Sequence, residues 1–157
     1  MKRLLLTALL LLASSAWAGP FEDAAAANAR GDYAAVLRII RPLAAKGEAW
    51  AQFNLGLMYG KGSGVVQDYA EAVKWYRLAA AQGHASAQYN LGGMYGDGQG
   101  VPMDYVRAHM WFNLAAVKGD ADAVKNRDIA AKNMTPQQMA EAQKLARECQ
   151  ARNFKGC

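Results

Sequence analysis

The chain has 157 residues, 53% of them hydrophobic, and 18 Lys and Arg against 13 Asp and Glu, for a formal charge of +5. That is enough for one domain with a buried core. The charges are interspersed, with no block of like sign, so the mild basic excess describes a solvated surface, and nucleic acid is not an expected partner.

Lys2 and Arg3 precede an apolar run at 4–13, and Ala16-Trp17-Ala18 forms an A-x-A cleavage site. This is the pattern of a secretory signal peptide. The run is shorter than the roughly 20 residues of a membrane span. No cysteine lies near the cleavage site to take a lipid, so no membrane anchor is expected after cleavage. Removal of 1–18 leaves 139 residues with a formal charge of +3 and places the protein in the periplasm or outside the cell.

A repeat then organises the chain. Segment 51–84, "AQFNLGLMYGKGSGVVQDYAEAVKWYRLAAAQGH", and segment 87–120, "AQYNLGGMYGDGQGVPMDYVRAHMWFNLAAVKGD", are identical at 19 of 34 positions without a gap, at an offset of 36. The offset reaches back to Asp32-Tyr33 and Gly47, so 19–48 reads as a degenerate half-repeat that caps the N-terminal end. Pro42 falls ten residues into its helix, where it removes a backbone donor and predicts a kink or break.

Full repeats follow at 49–84 and 85–120, each predicted as two helices. Ala51, Leu55 and Tyr59 recur with helical period in the first. Asp68 opens the second as an N-cap, with Glu71 placed to complete a capping box. Ala72, Trp75, Tyr76 and Ala79 then mark its apolar face, and Gly83 stands where a left-handed residue ends a helix. Gly56 and Gly92, inside helices, cost about 1 kcal/mol each relative to Ala, which close approach of a neighbouring helix would offset. Trp75, Trp111, Tyr59 and Tyr95 recur with the repeat and are expected to pack in the core.

The tail, 121–157, drops the glycine loop and keeps two helical stretches, a C-terminal helical cap. Thr135, Pro136 and Gln138 supply N-cap, N1 proline and N3 glutamine, and Met139, Ala142, Ala146 and Cys149 mark one face. The only cysteines, Cys149 and Cys157, predict one disulfide in an exported chain, worth about 2–3 kcal/mol.

The pattern A-x-x-x-L-G-x-x-Y-x-x-G-x-G-V, then D-x-x-x-A, W and A-A-x-x-G, resembles the Sel-1-like repeat, a relative of the tetratricopeptide repeat. It falls on Leu55, Gly56, Tyr59, Gly62, Gly64, Asp68, Trp75 and Gly83 and again on Leu91, Gly92, Tyr95, Gly98, Gly100, Asp104, Trp111 and Gly119. The resemblance implies an all-α fold, a right-handed αα-superhelix, and the work of an adaptor between proteins. A cysteine-rich exported branch of the family is reported to bind or hydrolyse β-lactams. The alternative function is therefore an envelope hydrolase or binder of β-lactam or peptidoglycan-type ligands. That branch has a disulfide within each repeat, and these repeats contain none.

The loop "YGKGSGV" invites a phosphate reading, but a Walker loop would need glycine where Leu55 stands and Ser or Thr where Gly62 stands. Lys61 also becomes Asp97 in the second copy, so a turn using positive φ is the expected role. His84 is expected at the surface and His109 in helix packing, neither with metal-ligand spacing. No cofactor, metal or catalytic constellation is expected, and the chain reads as a non-enzyme.

By the resemblance, the first helix of each repeat lines a concave face. With Ala51, Leu55 and Tyr59 in the core, the other side of that helix carries Trp50, Phe53, Asn54 and Leu57, and in the next repeat Ser86, Tyr89, Asn90 and Gly93. Aromatic rings beside amides suit an extended peptide, so these residues are the expected contact for a protein or peptide partner, the alternative being that Phe53 and Tyr89 pack between adjacent repeats.

Overall fold

The structure, a computed structural model, describes residues 19–157; the expected signal peptide lies outside the described residues. Those residues are 72% helical, with eight helices and no strand. The helices are α1 (Pro20–Ala29), α2 (Tyr33–Ala45), α3 (Ala49–Lys61), α4 (Tyr69–Ala80), α5 (Ala85–Asp97), α6 (Tyr105–Ala116), α7 (Ala121–Ala131) and α8 (Pro136–Ala151). Each packs on the next along most of the chain, as a right-handed αα-superhelix requires, while α8 packs against α6.

Short polar caps set the helix starts. Asp32, Asp68, Asp104 and Asp120 each accept the backbone N–H three residues on, at 2.9–3.0 Å. Thr135 and Gln138 close a reciprocal box at α8. The box expected at Asp68 closes one way only, because the Glu71 carboxylate pairs with Lys74 one turn further along the exposed face. The break expected at Pro42 does not occur: α2 runs through it to Ala45. Pro42 is exposed and lies in the last turn, so the one lost bond faces water while Ile40 and Ala44 stay buried on the other face.

Segment 19–48 holds a complete helix pair. The alanine-rich α1 packs on α2 through Ala24 and Ala27, after a turn of three residues where the later repeats have their glycine loops. Its composition carries no periodic signature that the 36-residue offset could detect.

Two buried clusters form the core, one beneath α1–α3 and one running from α4 to α8. The interior glycines allow close approach: a Cβ on Gly56 would lie 2.7 Å from the Tyr76 ring, and one on Gly92 2.6 Å from that of Phe112. Trp111 and Tyr95 are buried, whereas Trp75 and Tyr59 are half-buried against the core edge. Leu114, facing the α8 side, is 1% exposed, while its counterpart Leu78 is 49% exposed.

Two buried glutamines tie the pairs together. Gln52 Nε2 donates to the Ala44 carbonyl at 3.2 Å, and Gln88 Nε2 to the Ala80 carbonyl at 3.3 Å. Each carbonyl lies in the last turn of the preceding helix and also accepts a backbone N–H, from Gly47 and Gly83 respectively, so the glutamine adds a second bond there. At the C-terminus, Cys149 and Cys157 are joined, with Cα atoms 5.7 Å apart. The bridge folds Phe154 back onto the core edge.

Candidate functional site

Three neighbouring hollows lie between the helices. The first, about 400 Å³, lies among α1, α2 and α3 and is walled by Phe21, Trp50, Asn54, Leu57 and Met58. The second, about 500 Å³, is lined by Leu57, Tyr69, Tyr76, Tyr89, Asn90, Gly93, Phe112 and Asn126. The third, about 210 Å³, lies among α5, α6 and α7. Leu57 and Lys61 belong to the first two, and Gly93, Asp97, Phe112 and Asn126 to the last two. Neighbouring hollows therefore share walls, and their row along α1, α3, α5 and α7 makes a trough.

Six of the eight residues expected on this face line the trough: Trp50, Asn54, Leu57, Tyr89, Asn90 and Gly93. Two do not. Phe53 stacks on the His84 imidazole with ring centroids 4.6 Å apart and leans on Tyr76 at 6.0 Å, so it is taken up within its own repeat, between α3, α4 and the start of α5. Ser86, in the first turn of α5, is exposed and too short to reach a wall. Its counterpart Trp50 gains a wall by lying edge-on to Phe21 at 5.3 Å.

Phe21, Lys61, Asp97, Phe112 and Asn126 also line the trough and were missed by periodic reasoning. Phe21 falls outside the repeats, where no register points to it. Asn126 continues the 36-residue register of Asn54 and Asn90, a signal the sequence did carry. Lys61 and Asp97 had a visible signal, the reversal of charge at one repeat position.

Polar groups along the trough are partly committed. Asn54 Nδ2 donates to the Trp50 carbonyl at 2.8 Å, which leaves its Oδ1 as an acceptor. Asn126 Nδ2 donates to the Tyr89 hydroxyl at 2.7 Å. Burial pushes the Tyr76 phenol above its ordinary value, and a hydrogen bond with Asn90 pulls partly against it. Lys61, in the last turn of α3, sits favourably at the negative end of the helix dipole. Asp97, the last residue of α5, sits unfavourably at the same end. The ion pairs among the described residues, Lys74–Glu71, Arg107–Asp104, Arg127–Asp128 and Lys144–Glu148, include neither.

The expected surface position of His84 is corrected. It is half-buried as the N-cap of α5, its Nδ1 accepting from the Ala87 N–H at 3.3 Å, and burial followed by the nearby Lys118 charge holds its pKa below the ordinary imidazole value. His109 is 5% exposed, and burial followed by the Arg127 charge lowers it too, against the opposing pull of Asp128. Among the described residues the trough contains neither histidine nor cysteine, and no three His, Cys, Asp or Glu converge as a metal site would need. Its chemistry is that of apolar walls, amides and two separated charges.

The Sel1 repeat model matches residues 51–84 and 85–120. The structure is similar to that of c5321, described as a protective antigen of uropathogenic Escherichia coli strains with an SLR fold, at 36% identity over 83% of this chain and a TM-score of 0.77. This chain spans 29% of that protein's length. It is also similar to a Sel1 repeat protein of Oxalobacter formigenes, at 32% identity, covering 69% of this chain and 96% of that one, with a TM-score of 0.57. No curated protein matches. The chain belongs to the Sel1-repeat family, whose fold is that of protein-interaction scaffolds.

Proposed function

We infer that this protein is an exported, non-catalytic scaffold of the bacterial cell envelope that holds a peptide segment of a partner protein in its trough. The observation that carries the reading is the row of hollows with shared walls, in which Trp50, Leu57, Tyr89 and Phe112 offer apolar wall and Asn54, Asn90 and Asn126 offer amides. Flat rings gain contact area from an extended chain at low entropic cost, and side-chain amides pair with its backbone groups. Export rests on the signal-peptide pattern at 1–18 and is compatible with the disulfide. No helix of the described residues is long and apolar enough to cross a membrane.

The test is capture of partners from envelope extract by the purified chain and by a Trp50→Ser, Asn90→Ala variant. Both residues lie at the trough wall, outside the buried core, so helicity should be retained while capture is lost. Equal capture by a folded variant would overturn the trough assignment. Export is checked by N-terminal sequencing of the protein from the periplasm or medium, which should begin at Gly19.

A further inference from the structure

The geometry points to a trough that selects its peptide by charge order: a bulky apolar side chain in the first hollow, then a carboxylate at Lys61, then a Lys or Arg at Asp97. This rests on the scaffold reading above and adds to it which peptides are accepted and which are refused.

Lys61 and Asp97 are the same position in consecutive repeats, so the superhelix presents them in line along one wall. Lys61 stands where the first and second hollows meet, and Asp97 where the second and third meet. The middle hollow therefore has a cation at one end and an anion at the other. Between them its lining is aromatic and amide, from Tyr69, Tyr89, Phe112 and Asn90. Neither charge has an ion-pair partner among the described residues. Asp97 also opposes the dipole of its own helix, a local conflict of the kind that folds keep at functional positions. Both side chains are exposed, so they are free to meet charged groups of an occupant at the edge of the hollow.

A ligand of one sign would meet attraction at one end and repulsion at the other, which disfavours polyanions such as nucleic acid. A peptide of mixed charge meets attraction at both. Beyond Lys61 the first hollow is walled by Phe21, Trp50, Leu57 and Met58, which fits a large apolar side chain and sets it next to the acidic residue. Reversed order places like charges together at both ends, and negative selection of that kind is how interfaces refuse wrong partners.

The probe is a random dodecapeptide library displayed on phage and selected against the purified chain, with the recovered sequences then made as fluorescent peptides. Selected peptides should share one acidic and one basic residue, with the apolar anchor on the acidic side. Lys61→Asp and Asp97→Lys should each weaken binding by about two- to fivefold. The double exchange should select peptides with the two charges transposed. Peptides that bind in competition with Trp50 and Asn90 contacts but ignore both charge changes would overturn the charge order and leave the trough reading standing. Failure to select any peptide whose binding depends on Trp50 would overturn both. Circular dichroism of each variant establishes that loss of binding is not loss of fold.

Discussion

A Cβ built on Gly100 would lie 2.4 Å from the carbonyl carbon and oxygen of Tyr69 and 2.7 Å from the amide nitrogen of Ala70. The loop after α5 thus rests directly on the first turn of α4. One repeat earlier, a Cβ on Gly64 would meet the Tyr33 Cβ at 2.7 Å, at the start of α2. The loop glycines set the spacing between repeats as well as the turn.

Replacing Gly100 with Ala should therefore cost about 2–4 kcal/mol, since a positive φ of 70° and a backbone clash must both be accommodated. Gly31 separates the two effects: it has the same φ of 70° and nothing within 4 Å of a Cβ. Gly31→Ala should cost about 1–2 kcal/mol. Urea unfolding of both variants is the measurement. Equal losses would show that conformation alone explains the glycine and that loop seating adds nothing.

The repeat made the fold legible, because its boundaries carry chemical marks: aspartate caps α2, α4, α6 and α7, and glycine in αL ends α3 and α5. Gly56 and Gly92 were readable as close approaches, since a helix keeps glycine only against some gain elsewhere. What escaped the sequence were contacts made between helices by unlike residues. Phe53 occupies the trough-facing arc by helical angle, yet His84, the last residue of the same repeat and the N-cap of α5, takes it up by stacking. Phe21 enters the trough from a helix that shares no motif with the repeats, while Asn126 continues the Asn54 and Asn90 positions at the same offset and was legible there. Pro42 was misread because the rule against interior proline depends on which carbonyl is lost, and here it faces solvent.

The disulfide should act at the C-terminal cap. Cys149 is fully buried in the core and Cys157 is exposed, with a separation of 8 residues closing over Phe154. Cys157→Ser should lower stability by about 2–3 kcal/mol, chiefly by freeing the unfolded chain. Thermal unfolding with and without reductant tests this: reductant should lower the midpoint of the parent and leave the variant unmoved. A parent insensitive to reduction would show that the bridge contributes nothing.

His84 should make stability pH-dependent. Its Nδ1 must stay unprotonated to accept from Ala87 N–H, and its folded pKa lies below the ordinary value. The unfolded chain therefore binds the proton more readily. The stabilisation is complete above about pH 6.5 and is lost as pH falls from there towards the folded pKa. His109 shifts in the same direction, so the parent's slope contains both. His84→Asn keeps an N-cap that does not titrate and should flatten part of the slope between pH 7.5 and pH 5. An unchanged slope in thermal midpoints would remove His84 from the account.

The two buried glutamines differ in a way that suggests a stabilising change. Gln52 Oε1 accepts from Gln82 Nε2 at 2.8 Å, and the same amide donates to the Gly47 carbonyl at 2.9 Å. One repeat on, Gln88 is 0% exposed, but its Oε1 has no partner among the protein atoms described. The residue in the place of Gln82 is Lys118, whose ammonium donates to the Gly83 carbonyl and lies 5.1 Å from the Phe154 ring centroid. Lysine follows half of the Gln82 pattern and leaves the buried oxygen unanswered. Lys118→Gln should restore the second hydrogen bond, a gain of about 1 kcal/mol for a buried acceptor otherwise unpaired, offset in part by loss of the cation–ring contact. A rise in the urea midpoint with an unchanged m value is expected. The double variant with Gln88→Leu should show no such gain, since the acceptor is then gone, and a gain that survives there would trace the effect to the Phe154 contact instead.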